Sequence, residues 1–394
     1  MSRDAEPFSG GFRVIVWSLT LAAIGLGFSI LGWIVDARQM FASYLIAYFF
    51  VVTVALGLMA FLMGAHAMSA AWPATVRRLA ESGLGAMPLV GALYVPLFFA
   101  PAFLYPWARP ESVADPAARA LLDHRVRIWL HRPMFDVRAV CYVLVWVIAA
   151  LLLRRWSLAM DRPGAPDLRA RLRKLSCGIL PLVGIAGTFA AFDWVMALSP
   201  DFYSTMYGLY TLAGGFVAAL GLLAILMYAA QRAGFLAGVR VSHWYAIGRL
   251  LFAFLIFWAY TAFFQYLLIW IANRPIEAKF YLERIQPGDR GTSWFLIFGH
   301  FAAPWLLLLS YEVKRRRATV TLLGAWLLAC HYVDIHWLVG ARRAPAAPWQ
   351  WQDAPALMLV GGLTVAFAVW RQRGRLLSAY HDPDYAAGLA YESR

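Results

Sequence analysis

The sequence predicts an all-α membrane protein of about ten transmembrane helices, and three observations carry that prediction. The 394 residues are 62% hydrophobic and 14% charged, with a mean hydropathy of +0.62, whereas soluble domains carry about 25% charged residues. Apolar runs of the length needed to cross a bilayer, roughly 20 residues, recur along the chain. Most of the basic residues sit in the short loops between those runs.

Taken in order, the runs predict spans at 13–35, 41–66, 84–105, 136–153, 175–197, 206–230, 247–271, 293–312, 318–339 and 355–371. The first lacks a small-residue cleavage site and reads as a retained helix, not a signal peptide. The fourth and tenth are the shortest, so nine or eleven spans are the alternatives. Pro88, Pro96, Pro101, Pro181 and Pro304 fall inside spans, where neighbouring helices can satisfy the carbonyls they free. The clusters Arg169, Arg171, Arg173, Lys174 and Lys314, Arg315, Arg316, Arg317 lie on one side. The positive-inside bias puts that side, and both termini, in the cytoplasm. The longest outer segments, 106–135 and 272–292, are long enough to dock a partner. Trp107, Trp129, Tyr281 and Trp294 suit the headgroup level there.

The formal net charge of +14 does not indicate nucleic acid, because the positive residues follow the loops and form no single basic face. Cys141, Cys177 and Cys330 are isolated thiols inside apolar runs and read as buried packing residues. Of the eight histidines only His66, His300, His331 and the borderline His336 fall in spans, and His66 lies at the opposite face from the rest, so four ligands for two stacked haems cannot be found. Iron–sulfur cysteine sets, Walker loops and HExxH motifs are absent. The sequence therefore predicts no metal site and no covalently bound cofactor.

Ionisable residues at bilayer depth are costly and are functional candidates by default. Asp193 near the outer end of span five, Asp334 and His331 in span nine, His300 in span eight and Gln265 in span seven share one level, the outer third of the membrane. Tyr207 and Tyr210 open span six on that side. Such a set suits a proton path or a quinone site: a carboxyl group in low dielectric holds its proton more tightly than in water, and an imidazole beside it can take that proton. Phe254, Phe257, Trp258, Phe263 and Tyr266 offer apolar walls for a quinone headgroup. On the inner side the candidates are His66, Arg249 and Glu312, with Arg249 and Glu312 at matching depth for a pair. A polar network that only holds helices together is the competing reading.

Several strings resemble one family. Asp193-Trp194-Val195-Met196-Ala197-Leu198-Ser199-Pro200, followed by Phe202-Tyr203-Ser204-Thr205-Met206-Tyr207-Gly208, is similar to the signature of the ActF-type membrane subunits of bacterial alternative complex III. So are Gly248-Arg249-Leu250-Leu251-Phe252-Ala253-Phe254, the segment Gln265 to Pro275, and His300-Phe301 with Pro304. The segment His331 to Trp337 completes the order. The strong part covers residues 189–340. The resemblance implies an NrfD-like fold, with a flanking helix at 13–35, four-helix bundles at 36–197 and 206–339, and a second flanking helix at 355–371. It also implies the bacterial inner membrane and a respiratory quinol:cytochrome c oxidoreductase complex. The partners it implies are an ActC-like quinone-binding membrane subunit and periplasmic iron–sulfur and haem c subunits, with quinone or quinol as a possible ligand. The expected role is therefore a subunit without redox metal that supplies a proton path, a quinone site or both. An ion-coupled secondary transporter and a purely structural assembly subunit are the alternatives, and the sequence assigns no catalytic residue.

Overall fold

A computed structural model describes residues 3–109, 119, 129–161, 164–199, 202–286, 289–340 and 349–393. Its first helix, α1 (Phe12–Ala67), has 56 residues. Drawn straight it would run about 84 Å at 1.5 Å per residue, nearly three times the ~30 Å hydrocarbon core. It is not straight. Asp36 leaves the helical region (φ −152, ψ 92), and its carboxylate accepts from the Gln39 amide at 3.0 Å, capping a new helical start. Trp33 then meets the rings of Phe41 at 5.8 Å and Tyr44 at 6.2 Å, impossible for residues eight and eleven apart on one straight helix. The chain reverses at Asp36, giving antiparallel arms at 12–35 and 37–67. Nine helices are long and apolar enough to cross a membrane, and this reversal makes ten crossing segments among the described residues.

The third crossing differs from the continuous span expected at 84–105. It begins earlier and comes in pieces: α2 (Arg77–Leu84), α3 (Met87–Ala92), a 3-10 turn (Val95–Phe99) and α4 (Pro101–Leu104). Pro88, Pro96 and Pro101 each stand in the first turn of a piece, where a missing N–H is tolerated. The remaining elements are α5 (Arg132–Ala159), α6 (Arg169–Trp194), α7 (Met206–Arg232), α8 (Val241–Ala272) and α9 (Pro275–Arg284). Then follow α10 (Arg290–Phe295), a π-helical turn (Leu296–Ala302), α11 (Ala303–Leu309) and α12 (Tyr311–Arg315). Last come α13 (Arg317–Gly340), α14 (Asp353–Gln372) and α15 (Tyr385–Leu389). The crossings expected to be short, α5 and α14, are 28 and 20 residues long.

Helix α7 sits at the centre, packed against the second arm of α1 and against α6, α8 and α13. Its Gly221 faces Gly324 of α13 so closely that a Cβ there would strike the Gly324 carbonyl; small residues let membrane helices approach in this way. The first arm of α1 packs on α14 and shows large apolar side chains outward, Trp17 and Ile34 among them, as lipid contact permits. Phe8 N donates to Arg375 O at 2.8 Å, and Gly374 N donates to Phe8 O at 2.9 Å. Ser378 Oγ also donates to Asp4 O at 2.8 Å. Both ends of the chain therefore meet at one face, called here the terminal face; Asp36 lies at the other.

Several expectations change. Cys141 and Cys177 are exposed on outward helix faces and only Cys330 is buried, because apolar runs in a membrane cover lipid-facing positions as well as core. Trp107 is buried, packed against Tyr105 and Phe135, so it is no headgroup anchor, whereas Trp129 and Trp294 are exposed. Within the segments expected to dock partners, residues 110–118, 120–128 and 287–288 lie outside the described residues, as does Pro200 of the signature.

Candidate functional site

The polar residues expected at one level form two separate clusters. In the first, Asp193 at the end of α6 is buried. Arg138 of α5 grips it through Nε to Oδ2 at 2.8 Å and Nη2 to Oδ1 at 3.0 Å. The Tyr142 hydroxyl donates to Oδ2 at 2.9 Å and the Trp129 indole to Oδ1 at 2.8 Å. The guanidinium also lies 4.1 Å over the Trp129 ring. Every lone-pair direction of this carboxylate is served and its charge is matched by a cation. That makes it an anchor for helix ends.

The second cluster is unlike it. Asp334, fully buried on α13, accepts from the Tyr210 hydroxyl of α7 and from the Trp258 indole of α8, the latter at 3.1 Å. Among the described residues no lysine or arginine pairs with it. The basic side chain beside it is His331, one turn earlier, with Nδ1 3.9 Å from Oδ2. His331 Nε2 contacts Thr53 Oγ1 at 2.9 Å. Thr53 already aims its one hydroxyl proton at the Phe49 and Phe50 carbonyls, 3.0 Å away, so it accepts from Nε2–H. A neutral imidazole with its proton on Nε2 has a bare Nδ1. That bare nitrogen faces the carboxyl group.

Trp258 ties in a third member, since its ring lies 3.9 Å from the His300 ring. His300 is completely buried, and among the described residues neither of its nitrogens has a hydrogen-bond partner. It sits on the π-helical turn Leu296–Ala302, just before Pro304, whose ring excludes the regular bond to the residue 300 carbonyl and favours a wider turn. Such turns gather at functional sites. The Gly299 carbonyl is taken up by the Trp326 indole at 2.7 Å. Gly214 leaves the space that His331 fills: a Cβ there would sit 2.8 Å from His331 Nδ1 and 3.2 Å from Trp258 Cδ1.

The Tyr207 hydroxyl and Gln265 Oε1 are likewise buried without partners among the described residues. Gln265 Nε2 donates to the Tyr281 hydroxyl of α9 at 3.2 Å, and burial pushes that hydroxyl up to about 12. Arg284 lays its guanidinium 3.5 Å over the Phe280 ring and donates to the carbonyls of Phe280, Trp337 and Leu338.

The inner candidates stand apart from both clusters. His66 is half-buried at the terminal face. Arg249 and Glu312 are exposed, and Arg249 donates to Ser393 at 3.2 Å. Of the aromatic set on α8, Trp258 joins the cluster, whereas Phe263 and Tyr266 face outward. Sequence reading passed over Arg138, although it lies in the predicted span 136–153 and meets the criterion that selected Asp193. It also passed over Thr53, which carries no charge to draw notice. A third buried network, Arg78 with Glu81 and Ser157, falls outside the predicted spans 84–105 and 136–153; Ser157 Oγ donates to Glu81 Oε1 at 2.6 Å.

Among the described residues, no three His, Cys, Asp or Glu side chains gather as a metal site. In comparisons with known proteins, the chain matches no family model and no curated sequence.

Proposed function

We propose that this chain is a membrane subunit, without redox metal of its own, of a quinol-oxidising respiratory complex in the bacterial inner membrane. Its Asp334–His331 pair relays protons there. One observation carries the reading: a buried carboxyl group with only neutral donors faces a bare imidazole nitrogen at 3.9 Å. One proton can rest on either group, because among the described residues no fixed cation holds Asp334 in its charged form. The unpartnered polar atoms of His300, Tyr207 and Gln265 are groups of the kind that ordered water bridges, and they extend the pair toward the Asp36 face. A quinone ring fits poorly beside His300, since Trp258 occupies one face of the imidazole. Proton relay is therefore favoured over a quinone site in this subunit.

Asp334→Asn in the complex purified from its native membranes tests the proposal. The expected result is retained assembly with iron–sulfur and haem c subunits and loss of most proton movement per quinol oxidised. Unchanged coupling in an assembled variant would remove the relay. Purification without redox partners would remove the subunit assignment.

A further inference from the structure

A cleft of about 940 Å³ opens at the terminal face between the ends of α5 and α14. Arg154, Arg155, Arg371 and Arg375 line it. Arg155 and Arg375 are exposed and have no carboxylate partner among the described residues. Asp161 also lines the cleft, but its Oδ1 is held by Arg78. Arg154 is only 4% exposed, and although its other nitrogens are bonded to Glu81 O and Arg371 O, its Nε is buried with no partner among the described residues. An unspent donor beside several guanidinium groups is the chemistry that recognises phosphate oxygens.

What leads into the cleft narrows the ligand. On α5 the exposed apolar residues Val137, Val140, Leu144, Ile148 and Leu151 follow one another at three- and four-residue steps, so they share one helix face. The next step on that face is Arg155. A ligand lying along this stripe would place a hydrocarbon chain on the apolar residues and a charged group in the cleft. Trp370, 61% exposed beside Arg371, stands where an interfacial aromatic would.

We propose that this cleft is a specific site for an anionic phospholipid, with the headgroup phosphate on Arg154, Arg155 and Arg375 and an acyl chain on the α5 stripe. Basic pockets between membrane helices bind such headgroups. The site is distinct from the Asp334 cluster and does not depend on its role.

The test is native mass spectrometry of the full chain in detergent, titrated with cardiolipin, phosphatidylglycerol, phosphatidylcholine or inorganic phosphate. Arg155→Gln and Arg375→Gln are measured singly and together, beside Arg173→Gln/Lys174→Gln, which removes equal charge elsewhere on the same face. The expected result is retention of the anionic lipids over phosphatidylcholine, reduced at least fivefold in R155Q/R375Q and unchanged in R173Q/K174Q. Equal loss in both double variants, equal retention of phosphatidylcholine, or full displacement by millimolar inorganic phosphate would each overturn the proposal. Both arginines are exposed, so their replacement leaves the packed interior intact; a matched melting temperature checks this.

Discussion

Arg138 holds Asp193 by two nitrogens of one guanidinium, at 2.8 and 3.0 Å, joining α5 to the last turn of α6. Removing one partner of a buried ion pair leaves an uncompensated charge and costs about 3–5 kcal/mol. Arg138→Met is expected to destabilise the protein by that amount in detergent unfolding. Arg138→Met with Asp193→Leu should recover a large part of it. A double variant no more stable than the single one would show that the pair matters through something other than charge.

Asp334 should behave differently. Its donors are a hydroxyl and an indole, so Asp334→Asn strands no cation and loses at most one favourable hydrogen bond. The expected cost is about 1–2 kcal/mol, smaller than for Arg138→Met in the same assay. A larger cost would mean that the charged carboxylate is itself a structural requirement.

Gly214→Ala probes the cluster from the backbone side. The added methyl group would press on His331 Nδ1 and Trp258 Cδ1. Overpacking of this kind costs about 1–3 kcal/mol. Because the contact falls on the nitrogen facing Asp334, proton movement should drop more steeply than melting temperature. Proportional loss of both would assign Gly214 a packing role alone.

Tyr281 predicts an alkaline effect. Its hydroxyl is raised to about 12 by burial, above its value in the unfolded chain. The folded state therefore keeps the proton over a range in which the unfolded state loses it. That stability is fully present below about pH 10, the ordinary tyrosine value, and declines as pH rises through 12. Tyr281→Phe should flatten the decline between those values in chemical unfolding curves. A slope identical to the parent would count against the shift.

The crossing segments were largely legible because apolar run length is a direct consequence of bilayer thickness. Even the reversal at Asp36 agrees with separate spans at 13–35 and 41–66. The third span was misread because Pro88, Pro96 and Pro101 break it, and because buried charges at Arg77, Arg78 and Glu81 interrupt the apolar signal before Leu84. Residue spacing along a helix does not give the direction a side chain takes around it. Asp193 and Asp334 therefore looked equivalent, until Arg138 proved to face one and His331 the other. Thr53 fixes the proton on His331 from a different helix, and only tertiary packing brings the two together.

The seating of the first arm of α1 on α14 also bears on how the protein is made. All the other crossings described lie between these two helices in the sequence. At roughly 5–20 residues per second, the leading helix waits tens of seconds in the bilayer before its mate leaves the ribosome. During synthesis it must persist on lipid contacts and on its short contact with the second arm near Asp36, and its long row of outward apolar side chains equips it to do so.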